Sequence, residues 1–219
     1  AALEHRLNPN WRAKLNVTRS TSDYDGTTAF GYGALDRETG SGVTWKGGGH
    51  YLYKNTQTVA DASLSGNLSL LGRTHEAVFG INARRQSVPG LWSGWGLGSN
   101  VMSISPFLYN MDLHAWAPLN YRHATGRSFN KDSETGLFAT TRLNITDALK
   151  VIAGVRVSNF QYEARTYSNL TGRQTNLTKY SVKERVTPYA GLTYDLGSHH
   201  TAYVSYSDIF APQAAIDAA

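Results

Sequence analysis

Hydrophobic and polar residues alternate along most of the chain, which is the period of a β-strand with one apolar face. Leu137, Ala139, Thr141, Leu143 and Ile145 fall on one face, and Phe138, Thr140, Arg142 and Asn144 on the other. Beyond Thr146-Asp147-Ala148 the pattern resumes, with Val151, Ala153, Val155 and Val157 set against Ile152, Gly154, Arg156 and Ser158. The same arrangement surrounds Leu71-Gly72-Arg73-Thr74, where Ala62, Leu64, Gly66, Leu68 and Leu70 precede the turn and Ala77, Phe79, Ile81 and Ala83 follow it. It recurs about Gly197-Ser198-His199, from Ala190, Leu192, Tyr194 and Leu196 to Ala202, Val204 and Tyr206. Near the start, Ala13, Leu15 and Val17 oppose Arg12, Lys14, Asn16 and Thr18, after a turn at Asn8-Pro9-Asn10.

The alternation predicts about eight strands and no helix: a stub at 1–7, then 11–20, 45–70, 74–87, 130–146, 149–167, 179–196 and 200–208. Gly47-Gly48-Gly49 marks a bulge or a close backbone approach. No Pro/Ser-rich linker divides the chain, so 1–219 reads as one domain piece. The four turns are short, whereas the connections at 21–44, 88–129 and 168–178, and the segment after Phe210, read as long loops. Short turns on one side and long loops on the other are the asymmetry of an outer-membrane β-barrel. Segment 88–129 exceeds the length of idle connections, so a functional loop is expected there.

The polar face carries Arg142, Arg156, Asn67, Asn82 and Arg84, which suit either a wet barrel lumen or the solvent side of a sandwich. Tyr194 and Tyr206 lie toward strand ends on the apolar face, as an interfacial aromatic girdle requires; tyrosine is also an ordinary strand former.

Composition changes this picture little. Mean hydropathy is −0.38 and no run of about 18 apolar residues offers a transmembrane helix. A barrel needs none, because only alternate residues meet lipid. The chain has no cysteine, which excludes disulfide scaffolds, thiolate metal sites and thiol nucleophiles. The formal charge of +5 is dispersed and no block of basic residues tracks a phosphate backbone, so nucleic acid is not an expected partner. Residues 1–10 lack a basic start and an apolar run, so either a leader has been removed or the chain begins inside a longer protein.

Four stretches together resemble TonB-dependent outer-membrane siderophore receptors. They are Leu68–Gly80, Gly136–Arg156, Val186–Asp195 and Tyr203–Gln213, which follow one another in the family's order. The resemblance implies an all-β, antiparallel up-and-down transmembrane barrel of about 22 strands, plugged by an N-terminal domain. This chain would supply about eight of the strands. It further implies binding of a ferric siderophore and import by TonB-driven active transport. The ferric hydroxamate (coprogen or ferrioxamine) branch is the expected subtype. Outer-membrane lipid is an expected partner, and so is the TonB complex through a plug domain. No plug precedes Ala1, no TonB-contacting box is visible, and Ala214–Ala219 is not an aromatic-terminated last strand. The chain therefore reads as an internal segment with two open edges, not competent for transport alone, since unpaired backbone cannot stand in hydrocarbon.

A ferric siderophore brings its iron already wrapped in ligand oxygens, so the receptor needs aromatic walls and hydrogen-bond donors, not metal-coordinating side chains. No cofactor is expected. Trp92, Trp95, Tyr109, Trp116 and Tyr121 in the long loop and Trp45 at the top of a strand are the candidate contacts. Each suits packing of the loop or the outer girdle equally well. Arg142 and Arg156 could meet an anionic ligand or plug carboxylates, or simply line a solvated lumen.

No enzyme is expected. His75-Glu76 lacks a second histidine four residues on, and His199-His200 sits in a tight turn unsuited to joint ligation. Gly94-Trp95-Gly96-Leu97-Gly98 has no strand-to-helix context, and a nucleophile elbow is absent. The Asn-x-Ser/Thr triplets at Asn16, Asn67, Asn144, Asn169 and Asn176 are explained by chance and turn chemistry. Two other architectures fit the alternation. A complete eight-stranded barrel requires residues 1–7 to pair with 200–208; a soluble β-sandwich binding module requires the apolar faces to meet in a core.

Overall fold

The computed structural model describes residues 1–34, 36–39, 42, 44–96, 102–103 and 124–212, with side chains at 29–32, 44–48, 94–96 and 102–103 outside the description. Its elements are β1 (Ala2–Asn8), β2 (Trp11–Tyr32), β3 (Thr44–Leu70), β4 (Arg73–Gly96), β5 (Met102–Ser103), β6 (Gly126–Asn144), β7 (Leu149–Ser168), β8 (Gln174–Asp195) and β9 (Thr201–Ser207). All pair antiparallel in one sheet of order β1-β2-β3-β4-β6-β7-β8-β9, with β5 on β3. The described residues form no helix. β1 pairs with β2 and β9 with β8, so the ring closure that a complete small barrel requires is not made. Nor do two apolar faces meet. Ala77 and Phe160 are the buried hydrophobic residues of the described chain, while Leu137, Ile81 and Val204 stand half or more exposed. Both alternative architectures fall on these observations.

The turns are built as their residues dictate. Leu71 and Gly72 both take positive φ, 51° and 72°, making a two-residue hairpin of the type whose twist matches its strands; Gly72 suits that conformation, whereas Leu71 adopts it against its side-chain preference. Asn8 accepts hydrogen bonds at its side-chain oxygen from the backbone N–H groups of Asn10 and Trp11, both 2.9 Å. The Thr146 hydroxyl accepts from Leu149 N–H at 2.8 Å.

The register shows how wide the apolar face is. Outward residues align in rows across the sheet, from Leu68–His75 through Leu64–Phe79 and Ala62–Ile81 to Ala60–Ala83 on β3 and β4. The rows continue as Ile81–Leu137, Leu137–Val157 and Val157–Val186 on the later strands. From Leu70 at the turn to Ala60 the chain advances about 33 Å, or about 24 Å in height at a 45° tilt. That equals the apolar band of an outer-membrane barrel. Between the rim row at Arg73 and the Ala60 row, the paired strands direct no Lys, Arg, Asp or Glu outward among the described residues. Trp11 stacks with Phe79 at 6.4 Å on this face; Tyr194, 45% exposed, lies at its turn-side edge opposite Leu149, whereas Tyr206, 66% exposed, faces Ala190 near mid-height rather than at a girdle position.

His75 lies within the band and is buried. Its Nε2 donates to the Leu70 carbonyl at 3.0 Å, and its Nδ1 accepts from Asn144 N–H at 3.0 Å. Both ring nitrogens are thereby engaged in structural hydrogen bonds to the backbone.

The strands are longer than the alternation predicts. β2 continues to Tyr32 and β4 to Gly96, while β6 starts at Gly126 and β8 at Gln174. Much of 21–44 and both flanks of 88–129 are therefore strand, and the 168–178 connection shrinks to residues 169–173. The irregularity near the glycine triplet is a register shift: Phe30 faces Gly47 and Gly31 faces Trp45, leaving Lys46 as the extra residue. A second bulge lies between Ser158 and Phe160 on β7. Its extra residue on β8 accompanies Glu184 at φ 54°, whose N–H donates to Asn159 Oδ1 at 2.9 Å.

Neighbouring turns are joined by Arg73 and Asp147, whose charged groups meet at 2.8 Å. The hydrogen bond from Arg73, then its charge, holds the Asp147 carboxyl below the ordinary carboxylate range. A carboxyl depressed on folding contributes stability above its unfolded value and loses it as pH falls through the folded one. Melting of the refolded protein in detergent is expected to become pH-dependent below about pH 4, with Asp147→Asn flattening the slope in that window.

Candidate functional site

Outside the apolar band the sheet extends on the loop side, and its inward face there becomes aromatic. Tyr24 pairs with Tyr53 across β2 and β3, and Tyr51 pairs with Trp92 across β3 and β4. Tyr51 and Tyr53 stack at 6.1 Å and 14°, while Tyr24 and Tyr53 sit 6.2 Å apart at 32°. Each ring lies over a glycine. A Cβ at Gly26 would strike Tyr24, at Gly49 Tyr51, at Gly90 Tyr53, and at Gly126 Trp92. The missing side chains let four large rings lie flat against the wall and form a continuous shelf.

Burial, followed by the neighbouring Tyr51 and Tyr24, pushes the Tyr53 phenol up, so this group stays a neutral O–H donor at physiological pH. The Thr125 hydroxyl donates to the Trp92 carbonyl at 3.3 Å and ties the start of β6 to the shelf.

Below the shelf the inward face carries a linked polar layer. Gln86 donates to Asn55 at 3.0 Å and accepts from Arg84 at 3.0 Å. Arg84 meets Asp132 at 2.6 Å, and Arg156 meets Glu134 at 2.9 Å and Ser158 at 2.8 Å. These cations are matched by carboxylates, so the layer is a set of paired charges rather than a free anion trap. Nearer the turns, Phe138 lies over Gly80 and Tyr189 over Gly154, with the Tyr189 and Thr140 hydroxyls hydrogen-bonded to each other.

The sequence candidates divide accordingly. Trp92 belongs to the shelf. Trp45 and Trp95 occupy β3 and β4 at its loop-side edge, opposite Gly31 and Gly48, and their side chains lie outside the description. Tyr109, Trp116 and Tyr121 lie outside the described residues. Arg142 is at the other end: it pairs with Glu76 at 3.0 Å, sixteen residues along β6 from the Gly126 that faces Trp92. At about 3.3 Å per residue that is a separation of about 53 Å, so Arg142 and Trp92 do not share one pocket. Sequence reasoning missed Tyr24, Tyr51 and Tyr53. For Tyr24 and Tyr51 the signal was a glycine two residues away, in Tyr24-Asp25-Gly26 and Gly49-His50-Tyr51; Tyr53 rests on Gly90 of the neighbouring strand, which only the pairing brings beside it. No cluster of three or more His, Asp or Glu fit to hold a metal occurs among the described residues.

The sequence model of the TonB dependent receptor-like β-barrel matches residues 1–219. The chain belongs to this family. Its strands are those of an outer-membrane barrel, and the family is one of transporters and receptors rather than enzymes. The ferric-pyoverdine 358 receptor of Pseudomonas putida is 31% identical over 98% of this chain and 26% of its own length. The ferripyoverdine receptor of Pseudomonas aeruginosa is 28% identical over 97% of this chain and 24% of its own. A crystal structure of the outer-membrane ferripyoverdine receptor of Pseudomonas aeruginosa bound to ferripyoverdine superimposes with a TM-score of 0.74. That likeness covers 97% of this chain and 26% of the other at 24% identity, and it establishes the fold. The chain spans about a quarter of the length of the relatives it matches. These relatives support a siderophore receptor but not the hydroxamate branch that the resemblance implied: they are named as receptors of ferric pyoverdine.

Proposed function

We infer that this chain forms part of the wall of an outer-membrane receptor that captures a ferric siderophore of the pyoverdine type and imports it by TonB-driven transport. The shelf of Tyr24, Tyr51, Tyr53 and Trp92 is the observation that carries the reading. It faces inward, lies beyond the apolar band on the loop side, and offers flat rings with phenolic donors. A bulky chelate whose iron is already enclosed presents flat apolar edges and surface oxygens, and aromatic residues with a polar tip serve both. Trp45, Trp95, Tyr109, Trp116 and Tyr121 are assigned to the same ligand from the loop side. Arg142 is assigned to the turn-side lumen, where its partner is Glu76. Coupling to TonB requires a plug domain inside the completed barrel.

Quenching of tryptophan fluorescence in the purified receptor tests this reading. Ferric pyoverdine is expected to quench saturably at a concentration at least about tenfold below that needed for ferric coprogen, a preference of about 1.4 kcal/mol. Tighter binding of coprogen would overturn the ligand class. Absence of quenching by either would remove Trp92 from the site.

A further inference from the structure

The outward face changes abruptly above the apolar band. The row beyond Val17, Ala60 and Ala83 aligns Arg19, Thr58, Arg85, Ser133, Gln161 and Ser181. The next aligns Ser87, Lys131, Glu163 and Lys179. A band without outward Lys, Arg, Asp or Glu is thus followed within two rows by Arg19, Arg85, Lys131 and Lys179 against Glu163. Arg85, Lys131 and Lys179 border a hollow of about 640 Å³ that Ser133, Gln161 and Ser181 also line. All three cations are exposed. Glu163 is held by Arg165 at 2.6 Å and by Lys179 at 3.6 Å. Arg85 and Lys131 have no carboxylate within ion-pair distance among the described residues.

We propose that Arg85, Lys131 and Lys179 bind the phosphate of anionic lipid headgroups in the outer leaflet. The position follows from the band itself. Acyl chains covering its apolar rows end at the Ala60–Ala83 row, and the lipid phosphate, just beyond the ester linkages, then stands level with Arg85 and Lys131. The guanidinium grips phosphate oxygens bidentately, the two ammonium groups add point charges, and Ser133, Gln161 and Ser181 supply neutral hydrogen bonds. The charges lie on the lipid side of the wall, opposite the aromatic shelf, so the inference does not depend on the siderophore reading. Annular lipid held here would fix the height of the strands in the leaflet.

The test uses the whole receptor carrying this segment, in neutral detergent, with native mass spectrometry as the readout. Dioctanoyl phosphatidic acid is the probe, and dioctanoyl phosphatidylcholine and inorganic phosphate are the comparisons. Wild-type receptor is expected to retain phosphatidic acid at a concentration about tenfold or more below that required by the R85A/K131A/K179A variant, given about 1 kcal/mol per basic residue at a charged surface. Glu163→Gln is expected to tighten retention about threefold by removing the competing carboxylate. This gain decides the matter if the triple variant fails to fold. Equal retention by wild type and triple variant, equal retention of phosphatidylcholine, no gain in Glu163→Gln, or full displacement by an equal concentration of inorganic phosphate would overturn the proposal.

Discussion

Trp92→Ala in the full receptor is expected to weaken ferric-siderophore binding by about thirtyfold, the loss of about 2 kcal/mol that truncating a central aromatic anchor produces. Trp92 continues the shelf formed by Tyr24, Tyr51 and Tyr53, and its ring is seated on Gly126. Removing it deletes flat contact area and exposes backbone that the ring covers. Tyr53→Phe isolates the second contribution, since it keeps the stack with Tyr51 and removes the phenol. A loss of about tenfold is expected if that phenol donates to a ligand oxygen. Isothermal titration with the ferric siderophore measures both. Unchanged affinity in Trp92→Ala, with the barrel folded, would move the binding surface off this wall.

A cation placed on the outward face should damage folding instead of binding. Val155 lies in the row of Leu64, Phe79 and Ala139, midway between the turn rim and the upper edge of the apolar band. Val155→Arg is expected to cost about 2–4 kcal/mol, the depth-dependent penalty of arginine at the midplane of a barrel's lipid face. Val78→Arg, one residue from Phe79 but facing inward toward Ser65 and Thr140, places the same charge at the same height in the lumen and should cost far less. Heat-modified migration after refolding into lipid vesicles, followed against urea, separates the two. Equal destabilisation would mean that the apolar face does not meet acyl chains.

The membrane-spanning half of the fold was legible because lipid enforces a rule: from Leu137 to Ile145 and from Val151 to Val157 every second residue is apolar, except Thr141, whose hydroxyl donates to the Glu76 carbonyl. The tight turns were legible for a similar reason. Gly72 and Asn8-Pro9-Asn10 supply the residue types that turns favour. Beyond the band the rule lapses. Residues 19–28 are polar on both faces of β2, since one side meets solvent or headgroups and the other a wet interior, and such a stretch reads as loop until its pairing with 49–58 is seen. The candidate site suffered most from this. Tyr24 falls in a stretch that reads as loop, and Tyr51 and Tyr53 read as ordinary strand residues, whereas the tryptophan-rich connection stands out by composition. Arg142 was misleading for a different reason: face is encoded by parity, but height comes only from counting rows to the turn.

The glycines under the shelf have a consequence for how such a receptor changes its cargo. Because Tyr53 rests on Gly90 and Tyr51 on Gly49, a methyl group at either position would tilt a ring into the lumen and recontour the wall while every contacting side chain stayed the same. Ligand preference can therefore drift through single small-residue exchanges in the backing layer, leaving the aromatic inventory of the wall intact.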